Sequence, residues 1–102
     1  MSDVDFHFPK SPKRAVFTLQ QVIHGHDPIL MVFHDREEDD WQFLNGKTVS
    51  QKDMLVVPFA KILSHDPSLH TLANLPAGWC AVRKSTNHAW ERKELFAAKI
   101  KS

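Results

Sequence analysis

Five apolar residues in a row, Ile29-Leu-Met-Val-Phe33, run directly into seven ionisable ones, His34-Asp-Arg-Glu-Glu-Asp-Asp40. This junction constrains the fold more than any other stretch of the chain. An apolar run that does not alternate reads as a central β-strand covered on both faces. Asp27-Pro28 breaks the chain just before it, and the charged stretch just after it belongs in solvent.

Beyond the charges, Trp41-Gln-Phe-Leu44 reads as a second strand, with Trp41 and Phe43 on one face and Gln42 and Leu44 on the other. The acidic stretch is then a hairpin turn whose charges keep two apolar strands soluble. A calcium loop is the competing reading. Such loops space their carboxylates at alternate positions and turn on a glycine. Here Glu37-Glu-Asp-Asp40 are contiguous, and no glycine follows before Gly46. All four acids are therefore expected in solvent, with no specific divalent ion.

The remaining elements follow from local signals. Val16-Phe17 reads as a short strand. Thr18-x-x-Gln21 matches a capping box for a turn or two of helix ending at Gly25, with a longer strand from Val16 to Ile23 as the alternative. Asn45-Gly46 marks a turn, and Met54 to Val57 a further strand. Pro58 suits the first turn of a helix to about Ser64. Asp66-Pro67 sets an N-cap and a first helical residue, with Leu69 and Leu72 on one face and Asn74 and Pro76 closing the element. Trp79 to Arg83 is a last strand, with Trp79 and Ala81 on the same side. Asn87 is positioned to cap a C-terminal helix from His88 to Lys99, frayed if formed.

This order predicts an α+β domain: a mostly antiparallel sheet of four to five strands with short helices on one face. Its expected core includes Phe33, Trp41, Phe43, Val56, Leu72 and Trp79. At 102 residues, 42% apolar and 25% charged, the chain is a single globular domain able to fold without staples. Residues 1–13 read as a flexible arm, 14–92 as the core and 93–102 as a frayed tail.

Several function classes are disfavoured. A net charge of +1 provides no field to hold nucleic acid or a membrane surface, and the basic clusters Lys10 to Arg14 and Arg92 to Lys101 read as solubilising tails. The single cysteine, Cys80, allows no internal disulfide or Cys-based zinc cage and is expected to be a buried, inert thiol. The acidic N-terminus lacks the basic and apolar regions of a signal peptide, and the longest apolar run is too short to span a bilayer, so the expected address is cytoplasmic. Three glycines leave no phosphate-cradling loop, and no Gly-x-Ser-x-Gly elbow is present. The seven histidines, with no His-x-x-x-His pair, read as surface residues. No catalytic residue, metal ligand or cofactor is assigned.

The phrases "PILMVFHD", "DWQFL", "DPSLHTLANLPAGW" and "AVRKSTNHAWER", spanning about residues 28 to 92, resemble in that order a family of small bacterial domains of unknown function. Related-looking domains carry the label of immunity proteins of bacterial toxin systems. The resemblance implies a bacterial, non-catalytic protein-binding module with another protein, such as a toxin, as partner. It brings no catalytic residues with it.

Trp90, Arg83 and Arg92 are the candidate interaction surface, because Trp and Arg dominate binding hot spots. Clamping the tail onto the sheet is the competing role for Trp90. The alternative function is a small metal-dependent or hydrolytic enzyme built on His34, Asp35, His65 and Asp66.

Overall fold

The computed structural model describes residues 13–95. The flexible-arm expectation, except at Lys13, and the tail beyond Leu95 lie outside the described residues. The elements are β1 (Ala15–Leu19), α1 (Gln20–Ile23), β2 (Met31–His34), β3 (Trp41–Leu44), β4 (Met54–Pro58), α2 (Phe59–His65), a 3-10 helix (Pro67–Leu72), β5 (Trp79–Val82) and β6 (Glu91–Glu94). The six strands form one sheet in the order β4-β1-β3-β2-β5-β6, so the class is α+β with one strand more than expected. Every neighbouring pair is antiparallel except β1 and β3.

Strand alternation assigns the two faces. Val57, Val16, Trp41, His34 and Trp79 lie in one cross-strand row, and Thr18, Phe43, Val32 and Ala81 in the next. This is the inner face. α2 adds Phe59, Ile62 and Leu63 to it, and the 3-10 helix adds Leu69 and Leu72. Phe59 meets Trp41 and Phe43 at ring-centroid distances of 5.6 and 5.9 Å. Removing these groups from water is the main drive to fold, at roughly 1.5–3 kcal/mol for each large apolar side chain fully buried.

The outer face carries the row Val56, Phe17, Gln42, Phe33, Cys80 and Lys93. Cys80, Leu19 and Leu44 are buried there, but Phe17, Met31, Phe33 and Val82 are only half-buried. Of the apolar pentad, Met31 to Phe33 are thus central in the sheet without being covered on both sides. Val56 is 61% exposed, opposite to its expected place in the core, and its neighbour Val57 takes that place. A one-residue error in strand phase reverses every side chain. Of the other expected core residues, Trp41, Phe43 and Leu72 are buried and Trp79 is half-buried.

Two helix expectations fail. Thr18 caps nothing; it lies in β1, and its hydroxyl donates to the Phe43 carbonyl at 2.8 Å, while helix begins two residues later at Gln20. The segment after Asn87 forms β6 instead of a helix: Asn87 donates its N–H to Ser85 Oγ within a turn, and Glu91–Glu94 then pair with Trp79–Val82. The Asp66 cap does form, accepting from the Ser68 N–H at 3.0 Å.

Both sheet edges are blunted. The Phe59 N–H donates to Arg14 O, which fixes the β1–β4 ladder so that Met54, Val56 and Pro58 point their backbone groups outward. Pro58 has no N–H to offer, and that of Met54 is turned back to Gln51 O. On the other edge, all four residues of β6 are charged and exposed.

Candidate functional site

The acidic turn divides into two halves. Glu37 and Glu38 are exposed, as expected, but Asp39 and Asp40 are half-buried and engaged. Asp40 accepts from Arg14 Nη2 at 3.1 Å, and the same guanidinium donates to the Asp39 carbonyl. Asp39 sits at φ +57°, a left-handed conformation that short polar side chains tolerate, and this aims its carboxylate back at His34.

His34 is 6% exposed, so the expectation of surface histidines fails here. Its ring stacks on Trp41 at 4.0 Å with an interplanar angle of 17°. Nδ1 lies 2.7 Å from the Leu75 carbonyl and Nε2 lies 2.6 Å from Asp39 Oδ1. A carbonyl only accepts, so Nδ1 carries a hydrogen; a second proton must lie between Nε2 and the carboxylate. A general base needs a ring nitrogen facing substrate. Neither nitrogen of His34 is available for that.

The four residues of the enzyme alternative do not converge. His65 and Asp66 border a depression with His26, Asp27 and Arg83, whereas His34 and Asp35 border a separate one. Among the described residues, no group of three or more His, Cys, Asp or Glu is placed to hold a metal ion. Cys80 is buried, and burial pushes its thiol above the ordinary range, away from the reactive thiolate.

The trio Trp90, Arg83 and Arg92 is also divided. Arg83 is 8% exposed and belongs to the interior, so it is withdrawn from any surface. It donates to the Ile29 carbonyl from Nε at 3.1 Å and Nη2 at 2.9 Å, to Ser68 Oγ at 3.1 Å, and to Asp66 in a short ion pair. Trp90, half-buried, covers this guanidinium at 4.1 Å. Arg92 is exposed and donates to the Thr71 carbonyl at 2.8 Å. Trp90 is held as a clamp would be. The sequence signal for this was the half-buried Asp66 cap, whose carboxylate takes a cation that local spacing does not reveal.

Sequence reasoning also missed a depression of about 420 Å³ at one end of the outer face. Phe33, Gln42, Gly78 and Leu95 line it, with Asp35, Arg36 and Glu37 at its rim. Gly78, at φ +91°, lets Arg36 lie across it: a Cβ there would meet the guanidinium at 3.0 Å. Leu95 is 37% exposed beside this hollow.

Comparison with known protein families, with curated proteins and with solved structures finds no match. Among the described residues no helix is long and apolar enough to cross a membrane.

Proposed function

We propose that this domain acts by binding another protein through the outer face of its sheet, and not by catalysis. The observation that carries this reading is the pair of incompletely covered apolar groups on that face, Val56 with Phe17 and Phe33 with Met31, which flank Gln42 and end at the depression beside Leu95. Contiguous apolar surface left open on a folded domain marks interaction sites. The engagement of both nitrogens of His34 further supports a binding role.

In this reading Trp90, Arg83 and Arg92 serve the fold, and the partner docks elsewhere. The domain works in a bacterial cytoplasm, where an immunity-like role would make the partner a toxin. A photo-crosslinking side chain placed at position 33 or 56 should capture a protein in the native cell, and one at exposed His65 should not. Capture from position 65 alone, or from none of the three, would refute the open-face reading.

A further inference from the structure

We infer that the depression at Phe33 and Leu95 receives an apolar side chain from a basic segment of the partner protein; this rests on the open-face reading and names the partner's chemistry. Phe33 and Leu95 supply its apolar lining beside Gln42, and the hollow of about 420 Å³ has room for a large aliphatic or aromatic group.

The rim specifies the neighbours of that group. Among the described residues, Asp35, Glu37 and Glu38 have no ion-pair partner, although Asp35 accepts the Glu38 N–H at 3.0 Å. Asp39 and Asp40 in the same turn are both paired, with His34 and Arg14. The fold has thus compensated the inner two acids and left three outer ones, of which Asp35 and Glu37 border the hollow. Two cations are near. Arg36 lies across Gly78, and Lys93 stands one strand beyond Cys80 on the outer row. Among the charged residues that border the hollow, Asp35 and Glu37 outnumber Arg36 two to one. Solubility alone would be served by charge of either sign anywhere on the turn. Acids beside an apolar hollow instead match an anchor flanked by Lys or Arg, the arrangement in which a buried group supplies affinity and rim charges supply speed and selectivity.

The test uses two synthetic peptides, acetyl-Lys-Lys-Phe-Lys-Lys-amide and acetyl-Glu-Glu-Phe-Glu-Glu-amide, titrated into the full ¹⁵N-labelled chain. The lysine peptide should shift the amides of Phe33, Gln42, Gly78 and Leu95 saturably, and less as salt is added. The glutamate peptide, and the lysine peptide on Glu37→Lys, should bind at least about tenfold more weakly, the effect of roughly 1.4 kcal/mol. Glu37 is exposed, so the variant's amide dispersion should match that of the parent and exclude misfolding. Equal binding of the two peptides, no saturation by either, or shifts confined to His26, Asp27 and His65 would overturn the inference. Concentration-dependent shifts at these residues without peptide would assign the hollow to a second copy and also overturn it. If crosslinks form from positions 33 and 56 and survive Glu37→Lys unchanged, the inference fails while the open-face reading stands. If no crosslink forms at either position, that reading fails first.

Discussion

His34 and Arg83 occupy equivalent settings in different parts of the sheet layer. Each is a buried basic side chain laid against a tryptophan, Trp41 for one and Trp90 for the other. Each joins a carboxylate, Asp39 or Asp66, to a backbone carbonyl, that of Leu75 or Ile29. The two differ in where the tryptophan and the charge come from. Trp41 is part of the sheet itself, paired with His34 across adjacent strands, and would be buried without the histidine. Trp90 lies outside regular structure and is held over Arg83 from a loop. Arg83 is also permanently charged, whereas the His34–Asp39 contact depends on a shared proton. The first site should therefore behave as one part of a continuous core, and the second as a charge that several loops have gathered around.

The sharpest way to break that contrast is Arg83→Ala. It leaves Asp66 without its cation, Ile29 O without two donors and Trp90 without the group beneath it. Removing one partner of a buried pair costs about 3–5 kcal/mol. Urea unfolding should show that loss, and Arg83→Lys should recover little, because one ammonium cannot reach the Ile29 carbonyl, Ser68 and Asp66 in the same fork. A loss under about 1 kcal/mol, the level of a surface position, would mean that Arg83 is solvated in solution.

His34→Phe should cost less, about 2 kcal/mol, since it keeps the stack on Trp41 and removes only the two polar links. The cost arises because the Leu75 carbonyl, and Asp39 in part, lose a donor. Hydrogen exchange should then rise in the Asp35 to Asp40 turn more than in the β5 strand. An equal rise in both would contradict the view that His34 acts locally through the acidic turn.

These two sites also show what the sequence made legible. Strands β3 and β5 followed from alternation, and the Asp66 cap from a local Asp-Pro signal, because such signals depend on residues near in sequence. The partners of His34 and Arg83 lie as far as 41 and 54 residues away. No local rule distinguishes these basic residues from solvated ones until the topology is known. β6 escaped for the same reason: Glu91-Arg-Lys-Glu94 has no strand pattern, and only pairing with β5 makes it extended. For Val56, two adjacent valines gave no cue to which faces inward, so the phase of an edge strand decided it. The depression at Phe33 and Leu95 joins β2 to the residue after β6 and was invisible for both reasons.

Trp90→Ala should have a smaller effect than either substitution above. A cation–π contact contributes about 0.5–2 kcal/mol, and the indole N–H to Ser68 Oγ is long at 3.4 Å. The expected result is a destabilisation of about 1–2 kcal/mol with unaltered capture of a partner by a crosslinker at position 33. Unchanged stability with lost capture would make Trp90 an interface residue instead of a clamp, and would return the candidate surface to the Trp90 side of the domain.

The least effect is expected at Asp53, which extends the comparison to a carboxylate held by neutral groups at the surface. Gln21 Nε2 donates to its Oδ2 at 2.9 Å and Gln20 Nε2 to its Oδ1 at 2.5 Å, tying α1 to the turn before β4. The hydrogen bond from Gln21, then that from Gln20, holds the carboxyl below its ordinary value of 3.8. A carboxyl more acidic in the folded chain than in the unfolded one stabilises the fold when ionised. That contribution is complete above the ordinary value and disappears as pH falls through the lower, folded value. Asp53→Asn presents an amide donor to one of the two glutamine amides and removes the charge at every pH. The parent should therefore be slightly more stable than the variant at neutral pH, with the gap closing only in strong acid. Paired thermal melts across that range measure it directly. A gap that stayed constant into acid would assign the difference to hydrogen-bond geometry and not to charge, placing Asp53 apart from the ionic pairs at Asp39 and Asp66.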